Sequence, residues 1–261
     1  MALVNSFEKT GNILFKYRGQ IPLFIFILGL PFLYISYFTN YYTVFYAGLS
    51  HTFWIIIAII SILISLLGIA VRAYTIGTTP RGTSGRNTKK QIADELNANG
   101  IYSIVRHPLY LGNYLMWAGL LAFMANIPLF IIASLIFWLY YERIMFAEER
   151  FLQRQFSEKY MQWSMTVPAF VPAFRKFKKG DIPFSFKSVL RREYSGVFAI
   201  VLCFTIIDYL RYAACVYQES IQNPDWIRTS LFCMLAMFVI MLILRTLKHY
   251  TKLLNPDQSR D

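Results

Sequence analysis

Four apolar stretches of near-spanning length constrain this chain more than any other feature: Ile21 to Phe38, Phe53 to Val71, Val197 to Tyr217 and Ser230 to Leu244. A helix needs about 20 mostly apolar residues to cross a bilayer, and the last stretch reaches that length with its flanking residues. A further apolar region, Leu109 to Tyr141, is interrupted at Asn126-Ile127-Pro128. It reads as two helices joined by a tight turn. The expectation is an all-α polytopic membrane protein with about six transmembrane helices, because inside lipid a helix satisfies its own backbone. Composition agrees, with 56% hydrophobic and only 15% charged residues. Pro22 and Pro31 fit a kinked first span better than a cleavable leader.

The charges outside these stretches alternate. Segment 1–20 carries +2, loop 39–52 none, loop 72–108 +4, the turn at 126–128 none, segment 142–196 +5, loop 218–229 −1 and the tail 245–261 +2. Lys and Arg in short loops mark the cytoplasmic face, so both termini are expected there, in an inner membrane if the chain is bacterial. Topology thus accounts for the net charge of +12, and nucleic acid is not an expected partner. Cys203, Cys215 and Cys233 form no metal-binding spacing, and His51, His107 and His249 are far apart. No metal is expected, and the thiols read as buried.

Three regions follow: a two-span hairpin at 1–71, a polar-rich core with two spans at 72–180, and a two-span hairpin with a basic tail at 181–261. Tyr34, Tyr37, Phe38, Tyr41, Tyr42, Phe45 and Tyr46 suit the outer membrane–water interface. The stretch Gly77 to Gly85 is too rich in Gly and Thr for a helix. No Gly-rich nucleotide fingerprint is present.

The polar clusters of the core carry the chemistry. In Gly100 to Gly112, Pro108 suits the first turn of a helix. Arg106, His107 and unpaired N–H groups then stand at its mouth, where anions are favoured; a plain lipid-headgroup anchor is the simpler alternative. In Glu142 to Arg154, Arg143, Arg150 and Arg154 share one helical face, with Glu142, Glu149 and Gln153 near another. Paired glutamates there suit an ammonium group, or a salt-bridged helix end. Phe156 to Pro172 is amphipathic and then extended by its prolines; it lies on the membrane surface or closes over a pocket. Asp208 and Arg211, three apart inside a span, can pair.

In order and spacing, Arg106-His107-Pro108, Tyr110, Gly112, Asn126, Pro128, Glu148-Glu149, Leu152, Phe156, Tyr160, Trp163, Val167-Pro168 and Val171-Pro172 resemble the isoprenylcysteine carboxyl methyltransferase family. Phospholipid N-methyltransferases are more distant relatives. The resemblance covers about residues 86–174. Arg106 to Trp117 and Tyr140 to Leu152 are also similar to a bacterial branch acting on lipid A 1-phosphate. The resemblance implies S-adenosylmethionine as methyl donor, in a cytoplasmic-side pocket closed by the segment after the fourth span. By position it places Tyr102, His107, Pro108, Leu109, Tyr110 and Glu148 around the cofactor, with Glu95, Leu96 and Asn97 of the preceding loop. The family's substrate arginine falls at Ile144 here, which leaves Arg143, about 100° away on the helix, and Arg106 as candidates. The terminal hairpin has no counterpart in the resembled pattern.

The expected function is an integral membrane O-methyltransferase acting on an anionic oxygen, phosphate or carboxylate, of a lipid. Three alternatives stay open: an amine N-methyltransferase, a membrane reductase using NADPH, and a transporter or scaffold. The topology is directly testable. Reporter fusions after Thr39, Ile127 and Gln222 should read outside, and those after Arg86, Lys179 and the C-terminus inside. A cytoplasmic signal at Ile127 would break the hairpin assignment.

Overall fold

The structure, a computed structural model, describes residues 2–39, 51–80, 91, 93–217 and 225–255. Tyr41, Tyr42, Phe45 and Tyr46, and the loop from Arg81 to Gly85, lie outside these residues. The α-helices are α1 (Leu3–Lys16), α2 (Ile21–Phe38), α3 (His51–Gly77), α4 (Pro108–Phe123), α5 (Ile127–Thr166), α6 (Phe186–Tyr217) and α7 (Asp225–Tyr250). The fold is all-α and polytopic, with α2, α3, α5, α6 and α7 long and apolar enough to cross a membrane. Six spans are expected from the sequence; among the described residues five helices meet the length requirement. The remaining one, α4, has 16 residues, about 24 Å of rise against a hydrocarbon core of about 30 Å.

Packing explains how so short a helix is held. Small residues let α3 and α4 touch backbone to backbone, as in many membrane helix pairs. A β-carbon at Gly68 would lie 2.6 Å from the Gly112 carbonyl oxygen, and Ser65 Oγ donates to the Met116 carbonyl at 2.9 Å. Gly112 of the sequence motif has a second use, since a β-carbon there would meet Arg72 Cγ at 2.5 Å. The glycine lets the Arg72 stem cross α4. Leu33, Leu120, Met124 and Ile207 bury the junction of α2, α4 and α6.

The far end of α4 stops inside the bundle, where its last carbonyls need partners. Arg211 Nη2 donates to the Phe123 carbonyl at 2.6 Å, and the Tyr37 hydroxyl donates to the Met124 carbonyl at 3.0 Å. Asp208 holds Arg211 at 3.6 Å, as its spacing predicts. Tyr37, expected at the water interface, is instead 1% exposed, because it serves this cap. Ala125 (φ 52°) turns the chain, and the Asn126 side chain accepts from Leu129 N at 2.9 Å to start α5. The turn at Asn126-Ile127-Pro128 is therefore real and capped.

At the opposite end the basic segments gather. Ser185 N donates to the Gly77 carbonyl at 3.0 Å, and Tyr141 Oη donates to the Arg18 carbonyl at 3.2 Å, so the start of α2, the end of α3, the start of α6 and the middle of α5 share this level. Helix α5 continues past it and breaks at Ser157 (φ 46°, ψ −113°). Helix α1, for which the sequence reading has no element, packs along this outer half of α5: Phe7 meets Phe146 edge-on at 5.9 Å, and Glu8 binds Arg154 at 2.6 Å. Cys203 is buried, but Cys233 is exposed on the outward face of α7, which corrects the expectation of buried thiols.

Replacing Arg211 tests the cap. Arg211→Met should cost about 3 kcal/mol, because it orphans a buried carbonyl and a half-buried carboxylate together. Asp208→Asn should cost less, since the cap survives. Thermal unfolding in detergent reads the order; equal losses would assign the effect to the ion pair alone.

Candidate functional site

The site begins at Gly100, whose φ of 61° suits a residue without a β-carbon. Gly100 N donates to the Lys178 carbonyl at 2.9 Å. Lys178 N donates to Ser103 Oγ at 2.8 Å, and that hydroxyl donates to the Gly100 carbonyl at 2.7 Å. One tight turn, Ile101–Ser103, then leads to a stretch whose Ile104 and Val105 are buried.

The segment after α5 runs back along this stretch. Arg106 N donates to the Pro168 carbonyl at 2.9 Å, His107 N to Ala169 at 3.2 Å, and Ala173 N to Ile104 at 2.9 Å. Pro168 and Pro172 keep it extended and offer carbonyls without competing N–H groups. Trp163 Nε1 donates to the Tyr102 carbonyl at 3.1 Å. Of the two sequence readings of Phe156 to Pro172, its extended half is the one that closes over a site.

Helix α4 starts at Pro108 with His107 as its N-cap residue. Glu148 and Glu149 reach this point from α5. They are successive on a helix, about 100° apart, and so address different atoms of one imidazole. Glu149 Oε1 lies 2.9 Å from His107 Nε2 and Glu148 Oε2 lies 3.6 Å from Nδ1. Arg106 Nε is 3.3 Å from Glu149 Oε1, outside hydrogen-bonding geometry, so a buried donor is unsatisfied. The Tyr110 hydroxyl donates to Glu148 Oε1 at 2.6 Å, and its ring stacks on His107.

Two carboxylates around one buried ring set its charge. Burial alone would lower the His107 pKa, but hydrogen bonds and charge from Glu148 and Glu149 outweigh it and hold the pKa above the ordinary value. The shift extends to higher pH the range in which the ring carries its second proton. The Tyr102 hydroxyl is pushed up, first by burial and then by Glu148, so it stays protonated.

The sequence candidates separate on this geometry. Arg106, His107, Tyr110 and Glu148 come together, Pro108 sets the helix start, and Tyr102 stands in the adjoining turn. Leu109 lines a neighbouring cleft. Glu95 is exposed and Leu96 and Asn97 are half-buried in the coil before Gly100. Arg143 stands apart, with its guanidinium over the Phe7 ring of α1, 3.2 Å from the centroid. Glu149, left outside the candidate set, is in the cluster. Also outside it is a neighbouring network: Arg72 binds Glu193 through two contacts of 2.7 Å and bonds Asn113, which donates to Tyr141 Oη at 2.9 Å. Arg72 and Glu193 are 121 residues apart, and no local spacing signals that pairing. Among the described residues no group of three His, Cys, Asp or Glu is placed to hold a metal.

This is a polytopic helical membrane protein with a buried charged cluster at one end of the bundle. Residues 53–159 match the phospholipid methyltransferase family. Protein-S-isoprenylcysteine O-methyltransferase B of Arabidopsis thaliana is 32% identical over 133 residues, 49% of this chain and 65% of that protein. The Schizosaccharomyces pombe protein-S-isoprenylcysteine O-methyltransferase is 31% identical over 77 residues, 30% of this chain and 33% of that protein. A nickel-cobalt-cadmium resistance protein of Alcaligenes xylosoxydans xylosoxydans is 32% identical over 114 residues, 44% of this chain and 53% of that protein. Through this segment the chain is similar to phospholipid and isoprenylcysteine methyltransferases. It covers less than two thirds of the length of each of these relatives, and α6 and α7 lie beyond the matched residues. No solved structure matches it significantly.

The raised His107 pKa predicts a pH dependence. Its contribution to stability is complete below the ordinary histidine pKa of about 6.5 and is lost as pH rises through the raised value of the folded state. The thermal midpoint should therefore fall on the alkaline side of 6.5. In His107→Gln that component should vanish; an unchanged slope would place the titrating group elsewhere.

Proposed function

We propose that the protein is a membrane methyltransferase using S-adenosylmethionine and acting on an anionic oxygen of a lipid-like acceptor. The observation that carries this reading is the His107–Glu148–Glu149 cluster, held against the mouth of α4 and roofed by residues 164–178. The similarity of residues 53–159 to phospholipid methyltransferases supports it.

The residues suit the cofactor's chemistry. Glu148 and Glu149 offer partly exposed carboxylates, with side chains 24% and 26% exposed, to an ammonium group. Arg106, 3.3 Å from Glu149 Oε1, adds a guanidinium to the same cluster. Tyr102, Leu109 and Tyr110 supply apolar and aromatic walls, with Pro108 ordering the helix mouth. Glu95, Leu96 and Asn97 are assigned to the adenosine part on the resemblance alone. S-adenosylmethionine, when bound, supplies an electrophilic methyl group. The protein orients the acceptor oxygen in line with it and excludes water beneath the roof, and alignment of this kind supplies several kcal/mol.

The demand for a base favours an anionic oxygen over an amine. A carboxylate or phosphate is already ionised near neutral pH and needs no base, whereas an amine acceptor must first lose a proton. Arg106 is the arginine in the cluster, whereas Arg143 faces α1; Arg106 is therefore the better candidate for an anion contact. Both termini are assigned to the cytoplasmic side with the basic segments, and lipid A 1-phosphate is one acceptor of the right chemistry.

Glu148→Gln tests the reading. Loss of a charge-assisted hydrogen bond costs about 1.5–3 kcal/mol, roughly a tenfold or greater loss of S-adenosylhomocysteine affinity by calorimetry. Glu149→Gln should also weaken binding, through His107. Methyl-labelled product in a total lipid extract identifies the acceptor. A response to NADPH with none to S-adenosylmethionine would replace this reading with the reductase, and a methylated amine as sole product would replace the acceptor.

A further inference from the structure

The roof over the cluster carries apolar surface that its contacts with the site do not use. Val167 is buried beneath it, yet Met165, Val171 and Phe174 are 79%, 75% and 74% exposed, and Phe177 is half-exposed. Phe174–Lys176 is a single 3₁₀ turn. Side chains three apart eclipse on such a turn, so Phe174 and Phe177 project to one side. Arg175, Lys178 and Lys179 are interleaved with them and exposed. Lys176 Nζ donates to the Thr166 carbonyl at 2.5 Å. The other three cations have no side-chain partner among the described residues. Asp181 is the one acid in residues 171–182, so cations are in excess.

Both ends of this strip are pinned at the membrane boundary. At one end the Phe170 ring stands edge-on to Trp138 at 5.3 Å and to Tyr114 at 6.0 Å. Trp138 is 45% exposed on the spanning helix α5 and so faces lipid. It lies three residues, about 4.5 Å of rise, to the membrane side of Tyr141. At the other end Ser185 N donates to the Gly77 carbonyl, and the Phe184 ring rests on Gly77, where a β-carbon would meet it at 2.3 Å. Tyr141, Gly77 and Ser185 share the level of the basic segments. A strip held at that level has the headgroup layer beside it. Interleaved aromatic and basic side chains suit that layer, with rings at the acyl boundary and cations among the phosphates. In water the same apolar exposure would be unfavourable.

We infer that residues 171–182 dock on anionic phospholipid headgroups of the bilayer that the protein spans, with Phe174 and Phe177 entering the acyl boundary and Arg175, Lys178 and Lys179 on the phosphates. A second copy of the chain fits less well, since an isologous contact between two such strips sets like charges together. The inner side of the strip is fastened to the site: Ala173 N donates to the Ile104 carbonyl and Gly100 N to that of Lys178. Lipid contact on the outer side therefore stabilises the closed roof, because lifting it withdraws the same side chains from the headgroups. Access to the His107–Glu148–Glu149 cluster is set in part by the charge of the surrounding lipid. The inference does not rest on the methyltransferase reading; it needs only the roof and the spans that pin it.

The test is amide hydrogen exchange of the purified full chain, without added cofactor, in nanodiscs of dioleoyl phosphatidylcholine alone or mixed with dioleoyl phosphatidylglycerol. One cation at an anionic surface is worth about a fivefold change in an equilibrium. The Arg106, His107 and Ala173 amides should therefore exchange at least about fivefold more slowly in the anionic discs. The Met124 amide, at the far end of α4, should not respond, which separates roof closure from general stability. Arg175→Gln combined with Lys179→Gln should abolish the difference between the discs, and Phe174→Ser should speed exchange in both. Equal exchange in the two discs, a difference that survives loss of both cations, or unchanged exchange in Phe174→Ser would overturn the docking. So would equal protection by millimolar glycerol phosphate in detergent, which would mark a soluble-anion site. Protection that rises with protein concentration in detergent would replace the bilayer with a second copy. The lipid effect without any response to S-adenosylmethionine would keep this inference and remove the methyltransferase reading instead.

Discussion

A helix of 16 residues is too short to cross the hydrocarbon layer alone, and α4 ends where water cannot pair its carbonyls. An unpaired carbonyl in that setting costs on the order of 1–3 kcal/mol, so each must meet a donor from another helix. Arg211 and Tyr37 provide those donors at one end. At the other, Pro108 has no N–H to satisfy, and the Tyr110 and Leu111 amides donate to the His107 carbonyl. The rest of the bundle is arranged around this short helix: α3 against its glycines, α2 and α6 over its cap, and α5 beside its mouth. The small residues that bring α3 close also let Arg72 pass across α4 to Glu193.

Around the mouth of α4 the charged groups include two neutralising assemblies. His107 with Glu148, Glu149 and Arg106 makes one, and Arg72 with Glu193, supported by Asn113, makes the other. Removing charges from water costs several kcal/mol each, so isolated ionised side chains at these positions would be strongly unfavourable. Pairing offsets that cost and also fixes direction. A carboxylate bonded to a tyrosine and facing a buried imidazole has little freedom to rotate. The same contacts that make the cluster tolerable therefore pre-set where a ligand's charges can go, which is the condition for efficient alignment.

Much of this was legible in the residue order, for reasons that differ by feature. The apolar stretches and the Asn126-Ile127-Pro128 turn were readable because span length and turn chemistry are local. His107, Tyr110 and Glu148 were readable because they lie in short motifs flanking two helices. The length of α4 was readable for the same reason, but its cap was not, since Arg211 and Tyr37 come from other helices. Arg143 illustrates another limit. Helical periodicity gives its face but not the neighbour of that face, and the neighbour is α1, whose 14 residues are too few and too charged to register as a span. Tyr37 looked like an interface residue because composition cannot distinguish a wet hydroxyl from one capping a helix. The Arg72–Glu193 pair joins positions that only the three-dimensional packing brings together.

The roof over the cluster is fastened partly by the amides of Arg106 and His107, which donate to the Pro168 and Ala169 carbonyls. Those amides are also at the electropositive mouth of α4. Lifting the roof strips them of their acceptors in a place that favours anions. A departing product or an arriving cofactor with a negative group can act as a transient substitute for the two carbonyls. Ligand exchange and roof motion would then be competing claims on the same pair of protons. Exchanging one acceptor for another would spare both amides the cost of standing unpaired.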